Sequence, residues 1–273
     1  MNDSAHSIAT YPINRFVTGQ TMAHEDQIAI EAPLEIRLKK AADPMSKSVA
    51  VTMRTPGNDI ELALGFLFTE GIIRDRSDFI DSFQKAENVV EITVSDHVNT
   101  DMKNADRNFY TTSSCGVCGK ASIEAIKVDP SHLVSSVMNV SSKTIHQLLD
   151  KMNATQGAFQ ATGGIHASAL FDQYGALKLI QEDVGRHNAL DKLIGHYFGK
   201  SLLPLSNHLL LLSGRASFEL VQKAAMAGIP LIAAIGAPSS LAIDLAIEHG
   251  ITLLGFVKHK SFNCYSGHER IQD

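Results

Sequence analysis

Apolar and polar positions alternate along residues 28–38 (IAIEAPLEIRL), the period of a half-buried strand. Residues 48–54 (SVAVTMR) read the same way, and 88–94 (NVVEITV) give a further strand. Between them Pro56-Gly57-Asn58 is a turn signal. Residues 59–73 are expected to be helical, with Leu62, Leu64, Phe66 and Leu67 on the apolar face and Gly71 as a C-terminal stop. Residues 1–104 therefore read as a small α+β module built on antiparallel pairing.

Residues 105–139 form a second stretch. The run 103–120 (KNADRNFYTTSSCGVCGK) starts polar, becomes glycine-rich, and reads as a loop leading to a helix at 121–126. From 140 to 273 the pattern switches between the helical and strand periods. Helices are expected at 142–152, 188–198, 218–227 and 239–249, and strands at 166–171, 177–182, 209–213, 231–235 and 252–257. This alternation predicts a three-layer α/β domain with a mostly parallel sheet, in a chain that is α+β overall. In such sheets ligands bind beyond the carboxyl ends of the strands.

Composition narrows the function classes. Apolar residues make up 44% and charged residues 19%, ordinary for a folded protein. The net charge of -5 supplies no bulk field for nucleic acid or anionic lipid, so any anion site must be local. Tryptophan is absent, which argues against a platform for stacked bases. The N-terminal residues MNDSAHSIATYP have neither a basic nor an apolar leader region, and no apolar run reaches membrane-span length. These features predict a cytoplasmic protein with no nucleic-acid partner and no membrane insertion. Three cysteines, Cys115, Cys118 and Cys264, are too few for a disulfide scaffold.

The strongest chemical signal is SSCGVCGK at 113–120. Two cysteines two residues apart can bring both sulfurs to one point, and flanking glycines let the backbone expose them. A helix start downstream and the Lys120 cation both favour thiolate over thiol. Thiolate is the form that nucleophilic sulfur chemistry requires. On this reading Cys115 is the sulfur carrier and Cys118 its helper. Other readings stay open at this point. The pair supplies half of a zinc site that Cys264 and His268 could complete. It also fits a dithiol oxidoreductase, although the motif follows a polar loop rather than a strand. Surrounding Ser, Thr, Gly and Lys speak against two inert buried thiols.

The second signal lies in the turns of the last domain. Thr162 to His166, Glu182 to Asn188, Ser213-Gly214-Arg215 and Gly236 to Ser240 all fall where strands meet helices. Each alone reads as a helix cap. Four together, two carrying arginine (Arg186 and Arg215), point to a phosphate-bearing ligand. His166 and His187 stand in the same turns as candidate ligands or bases. The C-terminal segment GFVKHKSFNCYSGHERI (255–271) carries Phe256, Lys258, His259 and Lys260 just beyond a strand, where it could cover a guanine and its phosphates or could be a solvated tail. There is no Walker A loop and no G-x-G-x-x-G after a strand.

SSCGVCGK, Gly163-Gly164-Ile165-His166-Ala167, EDVGRHNALDK (182–192), Ser213-Gly214-Arg215 and GAPSS (236–240) occur in this order and together resemble the FdhD family of formate dehydrogenase accessory sulfurtransferases. The resemblance runs from about residue 15 to the C-terminus. It implies a larger domain similar to the cytidine deaminase fold beside the smaller N-terminal module. It implies a carrier that takes persulfide sulfur from a cysteine desulfurase, with Cys115 as the persulfide residue. The acceptor would be the molybdenum or tungsten bis(molybdopterin guanine dinucleotide) cofactor destined for formate dehydrogenase, with GDP as a mimic. It further implies a homodimer and a cofactor site at Phe256, Val257, Lys258, His259, Lys260 and Ser261, to which the reading of the turns adds Arg186, His187 and Arg215. Deaminase zinc ligands are missing at the matching helix starts, so the resemblance does not carry deamination. Cys264 is outside the family pattern, which weakens the zinc reading; no structural metal is expected.

Overall fold

The computed structural model describes residues 7–99 and 138–273. The expected cysteine loop, with Cys115, Cys118, Lys120 and the helix at 121–126, lies outside the described residues.

The N-terminal part opens with a hairpin of β1 (Ile8–Val17) and β2 (Gln20–Ala29), most of whose side chains are exposed. A four-stranded sheet follows in the order β4-β3-β6-β5. Its strands are β3 (Ala32–Lys40), β4 (Lys47–Arg54), β5 (Phe79–Ala86) and β6 (Val89–Val94). Helix α1 (Asp59–Thr69) lies between β4 and β5. The stretch read as one strand over 28–38 is divided: β2 ends at Ala29 and β3 begins at Ala32. Pairing is antiparallel for β3 with β4 and for β5 with β6, as expected, but β3 and β6 run parallel.

The second part contains β7 (Val140–Ser141), α2 (Ser142–Asn153), α3 (Gly157–Thr162), β8 (His166–Asp172), β9 (Leu177–Asp183) and α4 (Arg186–Gly199). Then come β10 (His208–Leu212), α5 (Phe218–Met226), β11 (Leu231–Ala234), α6 (Ser240–Glu248), β12 (Thr252–Lys258), β13 (Ser261–Ser266) and β14 (Ile271–Gln272). Six strands form one sheet in the order β13-β12-β11-β10-β8-β9. The sheet is mixed, not mostly parallel: β10, β11 and β12 run parallel, while β8, β9 and β13 are antiparallel to their neighbours. The reason lies in the links. Asp172 closes a tight turn between β8 and β9 by accepting from the Tyr174 and Ala176 N–H groups, and two residues join β12 to β13. Links this short reverse the chain and permit only antiparallel neighbours.

The run His208–Leu212 is apolar at every core position because both faces of β10 are covered. Leu209 and Leu211 join Ala167, Ala169 and Phe171 against Ile145, Leu148 and Met152 of α2. Leu210 and Leu212 join Leu170, Ile232 and Leu253 on the opposite face, against α4, α5 and α6. That second cluster continues without a break into the N-terminal part, through α1 to Leu34, Ile36, Val90 and Ile92. The two sheets therefore share one core, with α1 packed on α4 at its centre.

Helices α1 and α4 meet at two glycines. A Cβ on Gly65 would overlap the Asp191 carbonyl, and one on Gly195 would overlap the Glu61 carbonyl and the Gly65 nitrogen. Backbone cannot step aside as a side chain can, so even one methyl group must push the helices apart. Gly195→Ala is expected to lower unfolding free energy by about 3 kcal/mol. Gly199→Ala, where the nearest atom would be 3.5 Å away, should change it by less than about 1 kcal/mol. Denaturant titration of both variants checks this, and equal midpoints would show that the helices do not meet this closely.

Candidate functional site

The carboxyl ends of β10, β11 and β12 open onto one edge of the six-stranded sheet. The turn after β9 and the first residue of antiparallel β8 reach the same edge. The segments beyond the strands stay bonded to one another. Gly236 N–H donates to Gly214 O at 2.9 Å, Ala216 N–H to Ala237 O at 3.2 Å, Ser239 N–H to Ala216 O at 3.0 Å and Phe256 N–H to Gly236 O at 3.2 Å. These bonds form a continuous rim. Two glycines let it close: a Cβ on Gly236 would stand 3.0 Å from Arg215, and one on Gly214 would stand 3.4 Å from the His166 ring.

Around this rim the structure brings together most of the turn residues expected to bind ligand. Arg186 and His187 occupy the first turn of α4 and are half-buried, and Arg215 is exposed beyond β10. His166 pairs in register with Asp183. Burial pushes the His166 pKa down, and the charges of Arg186 and His187 push it further, with Asp183 opposing. His166 is therefore a neutral imidazole beside a cationic patch.

His187 is held from the next helix. Its Nε2 lies 3.5 Å from Ser217 Oγ and 3.9 Å from Glu219 Oε2. The contact with His187 is the largest influence on Glu219, holding its carboxyl well below the usual carboxylate range; burial opposes this. The 3.9 Å separation of Nε2 and Oε2 is longer than a hydrogen bond.

The C-terminal segment is not a solvated tail. It forms the β12–β13 hairpin, whose register shifts between Gly255 and Lys258. Within that bulge Phe256 takes the left-handed conformation, φ 53°, and is exposed at the rim. A side chain rarely adopts this conformation unless its surroundings enforce it. Val257 points into the core and is fully buried, so it can offer a ligand only its backbone. Lys258, His259, Lys260 and Ser261 are exposed on the hairpin turn. The turn rests on α2: His146 Nδ1 lies 3.2 Å from Lys258 O, and His259 Nδ1 lies 3.3 Å from Asp150. Cys264 is exposed on β13, where its thiol donates to Ser266 O at 3.3 Å.

EDVGRHNALDK divides into two jobs. Arg186 and His187 face the rim, and several of the others build the ground beneath it. Glu182 caps α3, accepting from the Ala158 and Phe159 N–H groups at 3.1 and 2.9 Å. Asp183 accepts from Lys192 Nζ at 2.7 Å, Gly185 N–H at 2.8 Å, Asn188 Nδ2 at 3.1 Å and Thr55 N–H at 3.1 Å. Lys192 also donates to Thr55 O, and Asn188 to Met53 O. Burial is the largest influence and pushes the Asp183 carboxyl up, while Lys192, Gly185 and Asn188 oppose that shift. One helical turn away Asp191 accepts two bonds from Lys223 at 2.9 Å, and Lys223 donates to Thr69.

Sequence reasoning missed Ser217 and Glu219 at the site, and the anchoring roles of Asp183, Asn188, Asp191 and Lys192. For Asp191 and Lys192 the local signal was charge at positions that a helix of this pattern buries.

Removing one partner of a buried pair strands the other charge. Lys192→Met and Asp183→Asn are each expected to cost about 3–5 kcal/mol of stability. The double variant should lose less than the sum, because the two side chains share one network. Additive losses in denaturant titrations would show that the pair is not coupled. A second measurement concerns His166: in an NMR titration its ring should ionise below the ordinary histidine range. Arg186→Ala should move that transition up; an unmoved transition would separate the two side chains.

Comparison with known proteins adds the following. Residues 29–272 match the FdhD/NarQ family. A sulfur carrier protein FdhD from Streptomyces coelicolor is 44% identical over 269 residues, covering 94% of this chain and 93% of the relative. Its counterpart in Mycobacterium tuberculosis is 43% identical, covering 92% and 94%. The archaeal counterpart in Sulfolobus acidocaldarius is 41% identical, covering 95% and 96%. A crystal structure from Desulfotalea psychrophila, described as a formate dehydrogenase accessory protein, superposes with a TM-score of 0.77. It covers 97% of this chain at 22% identity, a likeness of fold.

Proposed function

The chain belongs to the FdhD/NarQ family, and on that premise we propose that it is a sulfur carrier required for formate dehydrogenase activity. Sulfur arrives as a cysteine persulfide on a desulfurase and is passed to the molybdenum or tungsten bis(guanine dinucleotide) cofactor, which is the substrate. The observation that carries the reading is the near full-length identity to sulfur carrier proteins. The convergence of Arg186, His187, Arg215 and Phe256 on one rim is the geometry that supports it.

The chemistry divides into two balanced steps. The Cys115 thiolate attacks the terminal sulfur of the donor persulfide. One S–S bond forms as another breaks, and the donor leaves as thiolate, with no net oxidation. For delivery, Cys118 thiolate attacks Cys115 Sγ and releases the terminal sulfur as hydrosulfide. The two cysteines are oxidised to a disulfide, which a thiol reductant must reopen before the next cycle. The rim binds the phosphates through Arg186, His187 and Arg215, while Phe256 and the hairpin turn through Ser261 cover the guanine. We place the carrier in the cytoplasm as a homodimer. Among the described residues no helix is long and apolar enough to cross a membrane.

The test is incubation with a cysteine desulfurase and cysteine, followed by intact mass and peptide mapping. One added sulfur on Cys115, removed by reductant, is expected. Cys115→Ala should abolish both the adduct and sulfur delivery, whereas Cys118→Ala should keep the adduct and slow delivery. An adduct and full delivery in Cys115→Ala would end the carrier assignment. Generic disulfide exchange without persulfide would favour a dithiol oxidoreductase instead.

A further inference from the structure

The β1–β2 hairpin forms a sheet of its own, and its two outer edges differ. Val17 and Gln20 flank a two-residue loop, Thr18-Gly19, whose residues both take positive φ, 44° and 82°. In such a hairpin the flanking residues exchange hydrogen bonds. From there the register alternates bonded and non-bonded pairs. At the far end Ile30 N–H donates to Ser7 O at 2.8 Å, which keeps the same phase. The even-numbered residues of β1 and the odd-numbered residues of β2 therefore turn their backbone polar groups outward.

On β1 one of these outward residues is Pro12, paired with Glu25. Proline has no N–H, so the outer edge of β1 is interrupted near its middle. The outer edge of β2 has no such break. Thr21, Ala23 and Glu25 each direct an N–H outward, and none of the three meets a partner among the described residues. The next, Gln27, is closed by its neighbour Asp26 at 3.0 Å. Helix α3 runs beside β2, but its six residues span about 9 Å against about 34 Å for the ten of β2, so most of the strand is left uncovered. One face of the hairpin carries Tyr11, Ile13, Val17, Met22 and Ile28, all but Ile13 exposed. A lone two-stranded ribbon is marginally stable in water, and an open edge is a template for another strand.

The charges of β2 restrict what can pair there. Antiparallel pairing of β2 with itself about a two-fold axis at Ala23 sets Glu25 opposite Thr21 and Asp26 opposite Gln20, with Met22 opposite His24. No like charges then face each other. An axis at Glu25 would instead oppose two carboxylates. We infer that the outer edge of β2 is a dimer interface: it pairs antiparallel with β2 of a second copy, centred on Ala23, into one four-stranded sheet. This rests on the reading of the carrier as a homodimer and names the surface that joins the copies. The pairing is isologous and closes on itself, because the other edge of each hairpin is stopped by Pro12. It also joins the apolar faces of two hairpins into one surface, which is what a small sheet needs for stability.

Asn14 and Ala23 form one cross-strand pair, and the N–H of each points outward. Proline at either position spares the bonds within the hairpin. Ala23→Pro removes the central bonds of the inferred interface, whereas Asn14→Pro removes an N–H from the edge already interrupted. Sedimentation velocity over a concentration series is expected to show a dimer in the wild type and in Asn14→Pro. Ala23→Pro should dimerise at least about tenfold more weakly, the scale of two lost hydrogen bonds. Hydrogen exchange of the wild type gives a readout free of either substitution. The Thr21, Ala23 and Glu25 amides should be protected at high protein concentration and lose that protection on dilution, while Asn14 and Phe16 exchange quickly at both. A dimer unchanged by Ala23→Pro, equal weakening by Asn14→Pro, or a dimer whose outward β2 amides stay unprotected would overturn the inference and leave the homodimer reading intact. A wild type that stays monomeric at every concentration would overturn both.

Discussion

The buried contact between Asp183 and Lys192 is the constraint on which the candidate site depends. At 2.7 Å, with side chains 0% and 2% exposed, it sits where β9 becomes α4. One further partner comes from far away in sequence: Thr55 follows β4 and binds both members of the pair. One ion pair thus fixes three things at once, namely the end of a strand, the start of a helix and the edge of the second sheet. Charges so deep are costly to desolvate, and only full hydrogen bonding makes them tolerable. Here the Gly185 and Thr55 N–H groups and Asn188 complete the shell. The direction in which Arg186 and His187 leave the helix follows from that anchorage.

The rim has a related logic. Loops beyond parallel strands are usually free to diverge, but here their backbones remain hydrogen-bonded from Gly214 to Gly236 to Phe256. The glycines matter because each stands where a side chain would meet its neighbour. Side chains from the strand ends can then converge on one rim. This arrangement also explains why Phe256 tolerates a left-handed backbone: its N–H is tied to Gly236, and Val257 next to it is locked in the core.

Much of this was legible in the sequence, and the parts that were not share a cause. Helices α2, α4, α5 and α6 and strands β8 to β12 carry periodic apolar faces that meet the core, so pattern alone located them. Hairpin β1–β2, strand β5 and strand β13 escaped, because nearly all their side chains are exposed or half-exposed. Strands held by backbone pairing alone leave little trace in hydrophobic periodicity. The mixed sheet escaped for a different reason: short links decide strand direction, and helix–strand alternation had suggested crossovers throughout. At the site, arginines and histidines flanked by glycine stood out at the strand ends. Glu219 did not, since nothing local distinguishes it from an ordinary acidic residue near a helix N-terminus. Its meaning comes only from the ring of His187 across the gap between two helices.

The same accounting resolves how a chain of net charge -5 can present a cationic mouth. The carboxylates nearest the rim are each committed to a partner. Glu182 caps α3, Asp183 is matched by Lys192, Asp191 is matched by Lys223, and Glu219 faces His187. Net charge sums over the whole molecule, whereas a bound anion senses what lies within about 10 Å of solvent path. Along the rim stand Arg186, His187 and Arg215, with the basic hairpin turn of Lys258 and Lys260. The acidic residues of this motif are therefore not in conflict with an anion site. By taking up lysines and helix ends in the interior, they fix the scaffold beneath the rim.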